Sequence, residues 1–341
     1  MLFIFPSLNF HHSATEKNLL TTCKSEYVQL WKQELSRLTA INPCTTTHSG
    51  TISHSPDIQE SAPAIGPYTN PTYYADGANS TVYKSVIPSD HCNFPTPSRH
   101  LTPAGLTVAL KVTTPSALSP PHDAYSEAKI LKAILPHETI LPLLETFTLS
   151  SLFILVFPFY PYSLATPPAV LQWDAETLSS FLKNTFKDIF SALAHLHKHG
   201  IIHRDIKPSN ILFSHPLASS RAYLADFGIA WSESTHSKAA EPLERKITDV
   251  GTTHYRPIEL LFGYKAYGTE LDLWAVGCVI AECYSNDLGA DEWHPFFDAG
   301  DLGSELRLIA SIFQKLGTPT DESWPVWSLL YCLHPWNDLF F

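Results

Sequence analysis

"IIHRDIKPSNILF", residues 201–213, sets Arg204, Asp205, Lys207 and Asn210 between two apolar runs, where hydrophobic pattern alone expects a pair of buried strands. Polar groups in such a place are costly unless each has a partner. Just upstream, Leu178, Phe181, Leu182, Ile189, Leu193 and Leu196 recur at helical spacing over 175–199, with Asp174 as N-cap and Gly200 as the stop. Downstream comes a short strand, "NILF", and then "ADFG" at 225–228. Asp205, Lys207 and Asn210 lie on one tight loop and can converge on one small volume. A strand–turn carrying Asp226 and Gly228 can aim a carboxylate at a metal ion.

Further from the loop, "STVYKSV" (80–86) and "LTVALKV" (106–112) read as strands, and the Pro/His-rich stretch 88–104 between them as an exposed insertion. "DAYSEAKILKAIL" (123–135) has helical periodicity and is closed by Pro136, and strands follow near 143–149 and 152–157. Towards the N-terminus, 16–38 reads as a helix with Val28, Trp31, Leu35 and Leu38 on one face, and the Ser/Thr/Pro-rich 42–66 as a linker. Strands first and helices later point to an α+β protein in two lobes.

Composition narrows the function. A formal net charge of −11 over 341 residues argues against a nucleic-acid partner, which calls for a basic face. The six cysteines have no C-x-x-C spacing, so reduced thiols are expected. There are 17 histidines; "HLHKHG" (195–200) lies on a helix end and "HH" (11–12) and "SHS" (53–55) in loops without Cys or carboxylate companions, so solvated or capping groups are expected rather than a zinc site. The longest apolar run, "LFILVFPF" (152–159), is far short of the ~20 residues of a membrane span. The opening "MLFIFPSLNF" lacks the basic start of a signal peptide.

"VALK" (108–111), the loop 201–213, "ADFG" (225–228), "TTHYRPIEL" (252–260) and "DLWAVGCVIAE" (272–282), in this order, resemble the eukaryotic protein kinase family. "IFQKLGTPTDESWP" (312–325), Arg256 after Tyr255, and "SNILF" resemble the cyclin-dependent kinase-like group. The departures described below are most similar to the fungal single-subunit kinases that activate cyclin-dependent kinases.

The resemblance implies a two-lobed α+β kinase fold: a small β-rich lobe at 67–160 and a mainly helical lobe at 161–325, after an extension at 1–66. It further implies an ATP-dependent protein serine/threonine kinase. Asp205 would accept the proton of the substrate hydroxyl, and Lys207 would neutralise the transferred phosphoryl group. Lys111 would pair with Glu127, and Thr252 would hydrogen-bond Asp205 and Lys207. Asn210 and Asp226 would hold Mg2+, Arg204 would tie the loop to the activation segment, and Asp272 would brace it. His203 would pack within the frame of the catalytic loop.

For ATP, Ala75, Gly77 and Ser80 stand at the three positions of the glycine-rich loop, so two of the three glycines are replaced and looser binding is expected. Val82 and Ala109 would pack on the adenine faces, Phe157 would be the gatekeeper, and Phe159–Tyr160 the hinge. The implied substrate is a protein, in particular the activation loop of a cyclin-dependent kinase, and Arg256 would favour proline after the acceptor. "DAYSEAK" stands where cyclins grip the group, so no cyclin is expected. A monomer acting in the cytoplasm or nucleus, without nucleic acid or membrane, completes the reading.

Regulation is expected to depart from the group. Three arginines there hold an activation-loop phosphothreonine. Here only Arg204 stands, with Ser126 and Trp231 at the other two places and Ile247, next to Thr248, at the acceptor. Loop phosphorylation is therefore expected to be dispensable. Glu259 would lack its usual arginine, since Arg307 lies on the helix "SELRLIASIF" (304–313) and points elsewhere. The family has further helices after 325, so an incomplete second lobe is expected, followed by an apolar tail at 326–341 that resembles nothing in the family. The alternative is a kinase-like scaffold that only binds.

Overall fold

The computed structural model describes residues 64–77, 79–88, 106–165, 174–215, 217, 219–234, 241–286 and 293–317. The helix expected at 16–38, nearly all of the linker 42–66 and of the insertion 88–104, and the tail 326–341 lie outside them. The chain divides into two compact units. Glu60–Leu308 holds the candidate site; of the other, Met1–Gln59 with Ile309–Phe341, only 309–317 is described.

The first strands are β1 (Thr72–Gly77), β2 (Ser80–Val86) and β3 (Thr107–Thr113), followed by helix α1 (Ala124–Ile134), β4 (Glu145–Leu149) and β5 (Leu152–Pro158). They form an antiparallel sheet in the order β1-β2-β3-β5-β4. On β3, Val108 and Leu110 alternate into a core with Tyr68, Ile87, Ile154 and Val156. Alternation then sends Ala109 and Lys111 to the other face. Directly opposed pairs extend that face: Ala75 with Val82, Val82 with Lys111, and Ala109 with Phe157. The register therefore sets five of the expected ATP-site residues on one side of the sheet.

Helix α1 starts where Asp123 Oδ1 accepts from the backbone N–H groups of Tyr125 and Ser126 at 2.9 and 3.0 Å. It buries Glu127, Ala128, Ile130, Leu131 and Ile134 along one stripe and stops before Pro136.

After the two-residue β6 (Tyr162–Ser163), α2 (Ala175–Lys198) is capped by Asp174, whose Oδ1 accepts from Thr177 N at 2.8 Å. It buries the stripe from Leu178 to Leu196 that the sequence displays. The chain then runs through short strands β7 (Ile201–Ile202), β8 (Ile211–Phe213), β9 (Tyr223–Leu224) and β10 (Trp231–Ser232). β7 pairs with β10, and β8 lies between β6 and β9. Helices α3 (Ile258–Leu261), α4 (Glu270–Ser285) and α5 (Glu305–Leu316) complete the described elements. The free thiols Cys278 and Cys283 are buried on α4. Among the described residues no helix is long and apolar enough to cross a membrane.

Candidate active site

The loop 203–210 is held from beneath. Asp272, fully buried on α4, accepts from the backbone N–H groups of His203 and Arg204 at 2.9 Å each and meets His197 Nε2 at 2.9 Å. A carboxylate with these donors anchors a loop whose own N–H groups have no ladder to join. His203 is buried against the Phe227 ring at a centroid distance of 4.7 Å, and its Nε2 lies 3.1 Å from Ala225 O. Burial lowers its pKa, which favours the neutral ring. Arg204 and Asp226 both have left-handed backbone, φ 70° and 64°, an arrangement that surrounding bonds must enforce for residues with side chains.

Above this frame the expected residues converge. Asp205 Oδ1 accepts from Thr252 Oγ1 at 2.9 Å and from Thr252 N at 3.2 Å. Its Oδ2 lies 2.9 Å from Lys207 Nζ and accepts from Asn210 Nδ2 at 3.0 Å. Lys207 Nζ also donates to Thr252 Oγ1 at 3.0 Å. Across the cleft, Lys111 Nζ donates to both oxygens of Glu127 and to Asp226 Oδ1, all at 2.8 Å. Burial works against the Lys111 charge, yet Asp226 and Glu127 outweigh it and raise its pKa. Lys111 in turn holds Asp226 well below the usual carboxylate range, while burial pushes Glu127 upward against the pull of Lys111. Gly228 closes this cluster: a Cβ there would lie 3.2 Å from Asp226 Oδ1 and 3.4 Å from Lys111 Nζ.

Both groups open on one cleft of about 710 Å³, lined also by Gly77 and Ser80 at the β1–β2 turn. Val82, Ala109 and Phe157 lie on the sheet face that carries Lys111. Phe159 N donates to Thr107 O at 3.1 Å, and the Phe159 ring lies against Tyr74 at 4.9 Å and under Lys84 Nζ at 4.7 Å. The Tyr160 ring lies tilted against Tyr223 at a centroid distance of 4.8 Å.

The oxygens fit a hard divalent cation. Asn210 spends its amide nitrogen on Asp205, which leaves the amide oxygen, and Asp226 spends Oδ1 on Lys111, which leaves Oδ2 on a half-exposed side chain. Among the described residues no cluster of three or more His, Cys, Asp or Glu is arranged to hold a metal by itself.

Sequence reading missed two contacts: His197 on Asp272, and Arg204 on buried Glu241. Only the acidic residues of "AAEPLERK" (239–246), Glu241 and Glu244, could have signalled the second. Arg307 does point away from Glu259, and pairs with Asp298 at 2.7 Å. Among the described residues no cation reaches the Glu259 carboxylate, which burial pushes up to about 7.

A strand-built small lobe, a helical larger lobe and a Lys–Glu–Asp group facing an Asp–Lys–Asn–Thr group are the arrangement of a protein kinase domain. Residues 100–330 match the protein kinase domain, and the chain belongs to that family. It is 45% identical over 157 residues to serine/threonine-protein kinase csk1 of Schizosaccharomyces pombe, covering 45% of this chain and 46% of that protein. It is 30% identical over 258 residues to serine/threonine-protein kinase CAK1 of Saccharomyces cerevisiae, covering 64% and 70%. With the CTD kinase subunit alpha of S. pombe the identity is 36% over 213 residues, covering 62% and 32%. The match thus spans about half the length of csk1 and a third of the CTD kinase subunit. Among solved structures, one of the CAK complex of Chaetomium thermophilum bound to ATP-gamma-S matches with a TM-score of 0.58 and 30% identity, over 76% of this chain and 72% of that one.

Proposed function

We propose that the chain is an ATP-dependent protein serine/threonine kinase, and one observation carries the proposal: Asp205, with Thr252, Lys207 and Asn210 around it, faces Lys111, Glu127 and Asp226 across a single cleft. Asp205 orients a substrate Ser or Thr hydroxyl and takes its proton as that oxygen bonds to the γ-phosphorus and the bond to ADP breaks, the electron pair leaving with ADP. Lys207 sits where charge on the transferred group develops. Lys111, fixed by Glu127, holds the phosphates. Val82, Ala109, Phe157, Phe159 and Tyr160 receive the adenine, and Ala75, Gly77 and Ser80 cover the phosphates.

Asn210 and Asp226 would hold Mg2+, which supplies neutralisation of phosphate charge. The cleft makes this necessary: six carboxylates and three Lys or Arg side chains line it, so a bare triphosphate would meet a net negative wall.

The substrate we propose is the activation loop of a cyclin-dependent kinase, on the strength of the family resemblance and the CAK1 relative. The chain would act as a monomer, without a cyclin, in the cytoplasm or nucleus. One observation favours a second substrate reading. Arg256, whose Nε donates to Gly251 O at 3.0 Å, would favour proline after the acceptor, as the resemblance to the cyclin-dependent kinase-like group implies. Peptides differing only at that residue, assayed beside an unphosphorylated cyclin-dependent kinase, separate the two.

Asp205→Asn tests the function itself. Phosphate transfer should fall by about 10²–10⁴-fold with nucleotide binding retained. Transfer at the wild-type rate would sink the assignment. A wild-type chain that binds a kinase but transfers nothing would leave the scaffold reading in its place.

A further inference from the structure

Arg204 and Glu241 form a buried ion pair outside the reacting groups, with side chains 0% and 4% exposed. Arg204 Nη2 donates to Glu241 Oε1 at 2.5 Å and Nη1 to Oε2 at 3.2 Å, while the guanidinium lies over the Tyr267 ring at 5.4 Å. Glu241 Oε1 also accepts from Ile247 N at 2.8 Å, and the Glu241 carbonyl accepts from Trp231 Nε1 at 3.0 Å. Tyr267 OH closes the group on Ile247 O at 2.6 Å. The Glu241 carboxylate thus joins the catalytic loop to the stretch that runs on to Thr252 and its bonds to Asp205, while its backbone carbonyl ties in the strand after "ADFG".

The geometry of the pair matches a carboxylate. A phosphothreonine brings about −1.5 to −2 charges and three acceptor oxygens, and needs several cations around it. A carboxylate brings one charge and two oxygens, which a single guanidinium fork satisfies. Of the three positions where the group has arginine, Arg204 alone is cationic; Lys246, buried beside the pair, sets its ammonium over the Trp231 and Tyr267 rings at 4.9 and 5.1 Å and donates to Leu243 O. Trp231, where the cyclin-dependent group has an arginine, gives its indole N–H to Glu241 instead. Ile247, aligned with the phosphate acceptor, has no hydroxyl and contributes its backbone N–H to the same carboxylate.

We propose that Glu241 is a positioning residue that does from within the chain what a loop phosphate does by modification: it holds 241–252 on the catalytic loop and so delivers Thr252 to Asp205. The inference rests on the kinase reading above and adds how that site is kept assembled.

The test compares Glu241→Gln, Glu241→Asp and the double variant Arg204→Gln/Glu241→Gln, which buries neither charge and so removes the penalty of an unpaired arginine. For Glu241→Gln we expect kcat to fall at least about tenfold with the KM for ATP within about twofold, and Glu241→Asp to keep kcat within about threefold of wild type. The double variant should stay as slow as Glu241→Gln. Amide hydrogen exchange over 241–252 should speed up in both slow variants, and wild-type kcat should survive treatment with a protein phosphatase. Wild-type kcat in Glu241→Gln, recovery in the double variant, or loss of wild-type activity to the phosphatase would each overturn the proposal. If the wild-type chain transfers no phosphate at all, the kinase reading fails separately. Exchange over 241–252 then decides: unchanged in Glu241→Gln, the clamp is wrong; faster, it stands.

Discussion

Lys111 shares one ammonium between two carboxylates, so its removal leaves Glu127 buried without a cation. Lys111→Met should therefore lower the free energy of unfolding by about 3 kcal/mol, read by denaturant titration, besides abolishing transfer. Glu259 poses the opposite case. Its carboxyl, about 7 in the folded chain, lies above the ordinary 4.5 of the unfolded one, so the folded state binds the proton more tightly. The stability this contributes is full below 4.5 and is lost as pH rises through 7. Glu259→Gln should match the wild type in acid and become the more stable protein by about 2–3 kcal/mol above neutrality, the gap opening between pH 4.5 and 7. A gap that does not vary with pH would refute this. At this scale the sequence was legible wherever chemistry dictates residue type at fixed spacing, as for Asp205, Lys207 and Asn210. Glu241 and His197 were hidden because their partners lie across loops whose path no local pattern records.

The turn of the segment at Gly251 has φ +76°, and a Cβ there would come within 2.7 Å of Arg204 O, a backbone atom. Gly251→Ala combines left-handed strain with that clash, so we expect a loss of about 1–3 kcal/mol in stability and a lower kcat with nucleotide binding retained. Calorimetry and steady-state kinetics check the two parts, and an unchanged kcat would mean the segment tolerates displacement. Elements with an explicit start and stop could be read from sequence, as α1 between Asp123 and Pro136 and α2 after Asp174. The sheet order β1-β2-β3-β5-β4 could not, because strand pairing is decided by which faces must be buried together. That same pairing is what brings Ala75, Val82 and Phe157 to the side of Lys111.

For the whole molecule, the run of strands followed by helices sufficed to foresee two lobes, while the shape of the cleft needed both in place. Its acidic lining gives a direct expectation. ATP with Mg2+ at a hundredfold excess over Kd should stabilise the chain by about 2.7 kcal/mol in a melting curve, and ATP with a chelator should do much less. An equal shift under both conditions would mean that the carboxylates do not oppose the triphosphate. The Arg204–Glu241 pair has a last consequence, concerning time. A phosphate is put on and taken off, and its turnover lets a cell count minutes. A glutamate is present from translation to degradation and cannot be erased. On that basis the specific activity of this chain should be the same at every growth stage from which it is purified, with output following how many copies exist. Activity per molecule that varies with growth stage would show that something other than abundance sets the pace.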